Sequence, residues 1–226
     1  MLVLVFDTET TGLPETKTID VETLYKWPYI VQFSYIIYDT DLNTILRIND
    51  NIIKIPTNVM ITSENSNIHG ITKEMTELNG VNLTLVIDTF IEDFNNSNIV
   101  VAHNLNFDLN ILKVEMLRSI NDEQLDINKK RMYSTFIDTL NKSNKLYCTM
   151  QENIDLCNIS LTNKFGKQYI KFPKLEELHE KLFKTKPKNL HNSLNDVLIT
   201  LRCFIYIKFN VDLLNTSINN MFQNLF

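Results

Sequence analysis

Acidic side chains and one histidine stand at separated points of this 226-residue sequence: Asp7 with Glu9, then Asp108, then Asp196 five residues after His191. Carboxylate oxygens are the ligands that magnesium and manganese accept more readily than zinc does. Two such cations roughly 3.5–4 Å apart can activate a water and stabilise the leaving oxygen in phosphodiester hydrolysis. The four acids therefore indicate a two-metal phosphodiesterase. Because histidine titrates near neutral pH, His191 is predicted to take the proton from the attacking water.

Each of these motifs has a structural explanation when taken alone. Asp7 and Glu9 could be the solvated end of a strand, and a single histidine before a helix is usually structural. Asp108 could be a helix-terminus charge worth roughly 0.3–1 kcal/mol. The combination is different, because carboxylates that meet in one pocket repel by roughly 4 kcal/mol per pair at 4 Å for an effective dielectric near 20. Bound cations would relieve that repulsion.

The first acidic pair follows a continuous apolar run, Leu2 to Phe6, which is typical of a strand buried on both faces. On an extended backbone Asp7 and Glu9 share one face, and Thr8 points to the other. Two further strands are predicted over Ile30 to Tyr38 and Ile45 to Ile53, so the chain should open with an antiparallel meander.

The rest of the chain alternates between strand and helix. Asp108 should lie in the first turn of its helix, and His191 in the turn before the last one. The order indicates an α/β domain with a mixed five-stranded sheet, an antiparallel meander plus parallel strands, flanked by helices. The predicted strands are Ile99–Ala102 and Ser134–Ile137, and the helices are Leu83–Phe94, Asn106–Ile120, Lys174–Phe183 and Leu194–Phe209.

One domain is expected over residues 1–210, and residues 211–226 form a C-terminal extension, either a small helix or a mobile tail. Residues 147–172 give no clear pattern beyond a loop at residues 164–167. His179 is predicted to be a surface residue of its amphipathic helix, and His69 to order a loop. The apolar end, residues 221–226, is expected to pack back onto the domain.

Composition restricts the function further. The formal net charge of −5 and the pI near 5.4 argue against a protein that holds nucleic acid over a long surface, but not against an enzyme that takes a few nucleotides at a chain end. The three cysteines are odd in number and lack zinc-site spacing, which favours a reduced intracellular setting. Without a signal peptide or an apolar span, a soluble protein that does not contact membranes is expected.

The three motifs together resemble the DEDDh family of 3′–5′ exonucleases, whose relatives include the proofreading epsilon subunit of bacterial replicative polymerase. Asp7 and Glu9 match its first motif, Asp108 its second, and His191 with Asp196 its third. A tyrosine-type relative would carry tyrosine where this chain has Asn192. The resemblance runs from about Leu2 to Phe209. It includes four strings that are closer to proofreading members than to short-RNA degraders: residues 27–32, 68–72, 148–150 and 172–178.

The resemblance implies a ribonuclease-H-like fold with the first strand in the centre and two Mg²⁺ or Mn²⁺ ions. It implies that Asp7, Glu9 and Asp196 hold the tighter metal, that Asp7 bridges to the second, and that Asp108 reaches the second directly or through water. Leu13 matches the apolar residue that packs on the terminal base in the family, and Phe107 would line the same pocket. For both residues, packing in the protein core is the competing explanation. The predicted substrate contacts are Thr8, Glu9, Thr10, Leu13, His103, Asn104, Phe107 and His191.

The function predicted is removal of nucleotides from single-stranded or frayed 3′ ends of DNA, with release of 5′-monophosphates, in proofreading or repair, with a DNA polymerase as a candidate partner. One alternative keeps the site and changes the substrate to RNA. A second is a non-catalytic nucleic-acid-binding or polymerase-accessory module, and a third is an endonuclease of the same broad fold.

Overall fold

The computed structural model describes residues 1–226, and its centre is a five-stranded mixed sheet with the spatial order β3-β2-β1-β4-β5. Strands β1, β2 and β3 form the predicted antiparallel meander, while β4 and β5 run parallel to β1. The first strand is therefore central. The strands are β1 (Leu2–Thr10), β2 (Ile30–Asp39), β3 (Thr44–Ile52), β4 (Ile99–Ala102) and β5 (Leu146–Cys148).

Helices cover both faces of this sheet, and a separate two-stranded hairpin stands outside it. The hairpin strands are β6 (Ser160–Thr162) and β7 (Gln168–Ile170). The helices are α1 (Ser63–His69), α2 (Lys73–Leu78), α3 (Leu83–Asn96), α4 (Leu105–Asn121), α5 (Ile127–Lys142), α6 (Ile154–Cys157), α7 (Leu175–Phe183) and α8 (Ser193–Phe209). Three short 3₁₀ turns occupy Val21–Lys26, Leu213–Asn215 and Asn219–Phe222.

The sheet separates two hydrophobic cores. One joins it to α3, α4 and α5 and includes Leu4, Phe6 and the aromatic residue Phe90. The other joins it to α7 and α8 and includes Val3 and Val5. This alternation along β1 follows from the two-residue period of a strand that is buried on both faces. The fold confirms the α/β, ribonuclease-H-like architecture predicted from the sequence.

The predicted position of the fifth strand was wrong. Ser134–Ile137 lies inside α5 and not in a strand, because Tyr133, Phe136 and Leu140 are buried at helical spacing. The fifth strand is instead β5, whose three residues pair with Val100–Ala102. A three-residue strand has too few positions to show a period of two, so the sequence did not reveal it.

The prediction that His179 is a surface residue was also wrong. Its side chain is completely buried, with Nδ1 2.8 Å from the carbonyl oxygen of Thr185 and Nε2 2.8 Å from the guanidinium of Arg202. Its imidazole stacks on Phe226, at 5.2 Å between ring centroids. The C-terminal segment forms two 3₁₀ turns and buries Leu213, Phe222 and Leu225 in the α8-side core.

Candidate active site

The strand β1 divides its polar end between the two layers of the molecule. Val3 and Val5 belong to the α8-side core, so Asp7 and Glu9, which continue the same parity, face α8. Thr8 has the opposite parity and points to α4. The strand extends to Thr10 and carries both carboxylates on its paired part, beyond the Phe6 end predicted from the sequence.

Hydrogen bonds fix the start of α8 against this strand. The hydroxyl of Ser193 donates to the main-chain oxygen of Asp7 at 2.6 Å. The Ser193 N–H donates to Oε1 of Gln32 at 3.1 Å, and the Gln32 amide nitrogen donates to Asp50 at 2.7 Å. The first turn of α8, which contains Asp196, is thereby held beside β1.

Three carboxylates meet at this junction. Single oxygen atoms of Asp7, Glu9 and Asp196 all lie within 4.8 Å of one another, and the three side chains are partly buried. Oδ2 of Asp196 accepts a hydrogen bond from the N–H of His191 at 3.1 Å, whereas its buried Oδ1 has no partner. A buried carboxylate oxygen without a partner is costly, and a cation would satisfy it. The oxygen-only donor set therefore fits magnesium or manganese.

Asp108 reaches the same pocket from the opposite layer. It lies in the first turn of α4, after Asn104, which adopts a left-handed conformation with φ of 65°. Its Oδ1 accepts hydrogen bonds from the N–H of Thr8 at 3.0 Å and from the Thr8 hydroxyl at 2.7 Å. Asp108 is not a member of the three-carboxylate group. Thr8 thus fixes the orientation of Asp108, in addition to lining the pocket.

Burial and mutual repulsion raise the pKa values of all four acids strongly. Desolvation raises the pKa of Asp7 to about 7. Desolvation, together with the charges of Asp7 and Asp108, raises the pKa of Glu9 to about 8. Desolvation followed by the charge of Asp7 raises the pKa of Asp108 and that of Asp196 well above the usual range. Near neutral pH the metal-free cluster therefore holds protons that a cation would displace.

This competition predicts that Mg²⁺ stabilises the protein more at pH 8 than at pH 6. A cation that binds only the folded state adds about 2.7 kcal/mol to the free energy of unfolding when its concentration is a hundred times its Kd. At the lower pH, protons on Asp7 and Glu9 would compete with the cation and reduce this gain. Thermal denaturation at both pH values, with and without Mg²⁺, measures the effect. NaCl at equal ionic strength is the control, and an equal shift at both pH values would contradict the prediction.

The acids open into a pocket of about 670 Å³. Most of the predicted substrate contacts line it, namely Thr8, Glu9, His103, Asn104, Phe107 and His191. Two do not: Thr10 is buried with its hydroxyl donating to the Gly12 carbonyl at 2.7 Å, and the Leu13 side chain is 80% exposed outside the lining. The roles of all eight residues toward substrate stay predictions.

The two histidines of the pocket differ in their surroundings. His191 is exposed, adopts a left-handed φ of 66°, and stands at the rim just before α8. His103 is held between Thr149 Oγ1 at 2.9 Å and the Pro173 carbonyl at 3.1 Å. Desolvation lowers the pKa of His103 to about 4. His103 is therefore neutral near pH 7 and braces the wall of the pocket.

Sequence reasoning assigned no role to the rest of the lining. Two of the strings noted for their family resemblance, residues 148–150 and 172–178, contain part of it and were the available signal. Gln32 and Ser193 act through hydrogen bonds between distant segments. Gln32 lies in another of those strings, residues 27–32, but neither residue was assigned a role. The additional lining residues are Met150, Phe172, Pro173, Lys174, Leu175, Glu176, Pro187 and Leu190.

No helix of the structure has both the length and the apolar character to cross a membrane. Comparison with curated proteins found no match.

Solved structures with the same fold include exonuclease I of E. coli in complex with a dT13 oligonucleotide, at 16% identity and a TM-score of 0.59 over 91% of this chain and 41% of that one. The dA16 complex of the same enzyme is 18% identical, with a TM-score of 0.58 over 92% of this chain and 41% of that one. Exonuclease I of Methylocaldum szegediense is 17% identical, with a TM-score of 0.56 over 94% of this chain and 42% of that one. The chain spans about two fifths of the length of these proteins.

The sequence itself matches the exonuclease family over residues 4–204, a range that contains all four acids and His191. With most of its length matched, the chain belongs to the exonuclease family.

Proposed function

We propose that this protein is a metal-dependent 3′–5′ exonuclease that removes nucleotides one at a time from single-stranded or frayed DNA ends and releases 5′-monophosphates. The observation that carries the proposal is the meeting of Asp7, Glu9 and Asp196 within 4.8 Å, in the same pocket as Asp108. Membership of the exonuclease family supports the activity. The DNA oligonucleotides bound to the exonuclease I structures support the choice of DNA.

Each acid has a part in this proposal. Asp7, Glu9 and Asp196 would hold one divalent cation, and Asp7 with Asp108 would hold a second. When bound, the cations would lower the pKa of the attacking water and neutralise charge on the scissile phosphate. Thr8 would keep one oxygen of Asp108 fixed, so that its other oxygen is directed to the pocket.

His191 would accept the proton of the attacking water. Its exposed imidazole stands at the pocket rim, while its main-chain N–H is bonded to Asp196. The side chain is thus free for proton transfer while its backbone is fixed to the acid cluster. Phe107, partly buried at the same rim, would contact the terminal base, which must leave its stack to reach the acids.

Digestion of labelled DNA and RNA oligomers of equal sequence, in parallel and with Mg²⁺, tests the substrate. The expected result is a ladder shortened from the 3′ end, with mononucleotide products and a faster loss of DNA. Faster loss of RNA would make the enzyme an exoribonuclease, and oligomer binding without mononucleotide release in Mn²⁺ would make it a binding module. Cleavage of a circular single strand, which has no end, would show an endonuclease.

The proofreading-type strings extend the proposal to a role in proofreading or repair beside a DNA polymerase. We assign the exonuclease domain to residues 1–210 and treat residues 211–226 as an extension that completes the α8-side core.

A further inference from the structure

A basic and aromatic segment stands beside the acidic pocket. Residues 158–174, the β6–β7 hairpin with its flanking residues, contain four lysines and neither aspartate nor glutamate, in a chain whose net charge is −5. We refer to it as the hairpin segment. A local excess of positive charge on an acidic protein indicates a partner that is negatively charged.

The hairpin segment is exposed on both faces. All six residues of β6 and β7 are exposed, and the strands pair with each other and not with the main sheet. Its aromatic residues are open to solvent: Phe165 is 82% exposed, Tyr169 47% and Phe172 52%. Large aromatic side chains held in water on a projecting hairpin are available for stacking.

The tip of the hairpin is ordered by its own hydrogen bonds. Oδ1 of Asn163 accepts from the N–H of Phe165 at 2.9 Å and from the N–H of Lys167 at 3.0 Å. Gly166 supplies the left-handed residue of the turn, with φ of 77°. Phe165 is therefore presented on a fixed turn, which reduces the entropy lost when a ligand binds.

The lysines of the segment differ in their pairing. Lys171 is bonded to Glu177 at 2.7 Å, and Lys174 lies 3.9 Å from Glu176. Lys164 and Lys167 have no carboxylate within 4.0 Å, and Lys164 Nζ lies 5.1 Å from the centre of the Phe165 ring. The two lysines at the tip are thus available to phosphates.

The segment is continuous with the candidate active site. Phe172 and Lys174 line the acidic pocket, and the carbonyl of Pro173 between them is bonded to His103. From Phe172 back to Lys167 the chain covers five residues, or roughly 17 Å if extended. A nucleic-acid strand whose 3′ end lies at the acids can therefore pass along the hairpin segment as it leaves the pocket.

We propose that the hairpin segment binds single-stranded nucleic acid upstream of the terminal nucleotide, an inference that rests on the proposed exonuclease function. Phe165 and Tyr169 stack against bases, and Lys164 and Lys167 contact the phosphates between them. Stacking on aromatic residues accepts every base, so this surface gives affinity without sequence preference.

The test compares a long and a minimal substrate on the full chain. Phe165→Ala with Tyr169→Ala should raise KM for a dT oligomer of about 20 nucleotides, longer than a typical single-strand site of ~4–16 nucleotides, by about tenfold or more. Hydrolysis of thymidine 5′-(p-nitrophenyl phosphate), which cannot reach the hairpin, should not change. Leu42→Ala, the truncation of another exposed apolar side chain, in the β2–β3 turn at the other end of the sheet, should change neither.

Lys164→Ala with Lys167→Ala should reduce the slope of log affinity against log salt for the oligomer by about 1.4, because two phosphate contacts are lost. The matched Lys→Arg pair should retain the slope. Binding of fluorescent dT oligomer, followed by anisotropy, gives this readout even if the chain hydrolyses nothing, so failure of the proposed function would be seen separately. Unchanged oligomer binding and KM in both double variants would overturn the proposal and leave the patch for a protein partner.

Discussion

Asp7→Asn should lower the rate of 3′-terminal nucleotide release by about 10³–10⁴-fold, because Asp7 belongs to the three-carboxylate group and its charge also acts on Asp108. The same change should raise the Tm of the metal-free protein at pH 8, since it removes one charge from a cluster that repels itself. For a chain of this length each 1 kcal/mol corresponds to about 2–4 °C. Product release and thermal denaturation measure the two effects.

The sign of the stability effect follows from the shifted pKa. Folding raises the pKa of Asp7 from 3.8 to about 7, so between these values the folded state holds a proton that the unfolded chain has released. The metal-free protein should therefore lose stability as pH rises from about 4 to about 7. The gain in Tm from Asp7→Asn should accordingly be small at pH 5 and larger at pH 8.

The matched control is Asp93→Asn on α3. Asp93 is also a buried acid, but it is bonded to Tyr35 Oη at 2.8 Å and to Arg47 at 2.8 Å, away from the pocket. Its substitution should lower the Tm and leave nucleotide release unchanged. An active Asp7→Asn enzyme, or one whose metal-free Tm fell at pH 8, would refute the assigned cluster.

His191→Gly should lower the rate of nucleotide release by about 10²–10⁴-fold, the usual contribution of a positioned general base. Glycine accepts the φ of 66° at this position without strain and keeps the main-chain N–H that bonds to Asp196. The rise in Tm that Mg²⁺ produces should therefore remain. Imidazole added to the solution should restore part of the rate, because the deleted side chain leaves room for it.

Asn189→Gly controls for the backbone, since Asn189 also has a positive φ, of 56°, in the same loop. It should remain active. Full activity of His191→Gly would remove this histidine from the proton transfer, and a lost Mg²⁺ response would make its role structural.

Most of the fold could be predicted from the sequence, because the strands and helices near the site have strong periodic patterns of apolar residues. The central strand, the meander and helices α3, α4, α7 and α8 were all placed to within a few residues, and the parity of Asp7 and Glu9 followed from the strand itself. The errors fell where the tertiary structure decides. α5 was partly interpreted as a strand, and His179 occupies a core position because Arg202 and Thr185 supply hydrogen bonds that no local pattern shows.

The sequence predicted that the four acids meet in one pocket, but it did not predict the hydrogen bonds that orient them. Residues such as Asp108 and Asp196 were recognisable by type and order along the chain. The contacts that orient them, from Thr8 to Asp108 and from Ser193 to Asp7, join segments 100 and 186 residues apart and depend on the folded geometry. The two strands of the hairpin segment have three residues each, too few to show a period of two, so the sequence predicted only the loop at residues 164–167.

The division of β1 between two layers also limits how this sequence can vary. Loops around the pocket can lengthen or shorten, but removal of one residue between Val5 and Asp7 would rotate the whole strand end by half a period. Threonine would then be offered to α8, and the carboxylates would turn to Asp108 and the aromatic core. The lengths of the surface loops can therefore change during evolution. The alternation of side chains along the nine-residue strand β1 cannot, because both of its faces are packed against other elements.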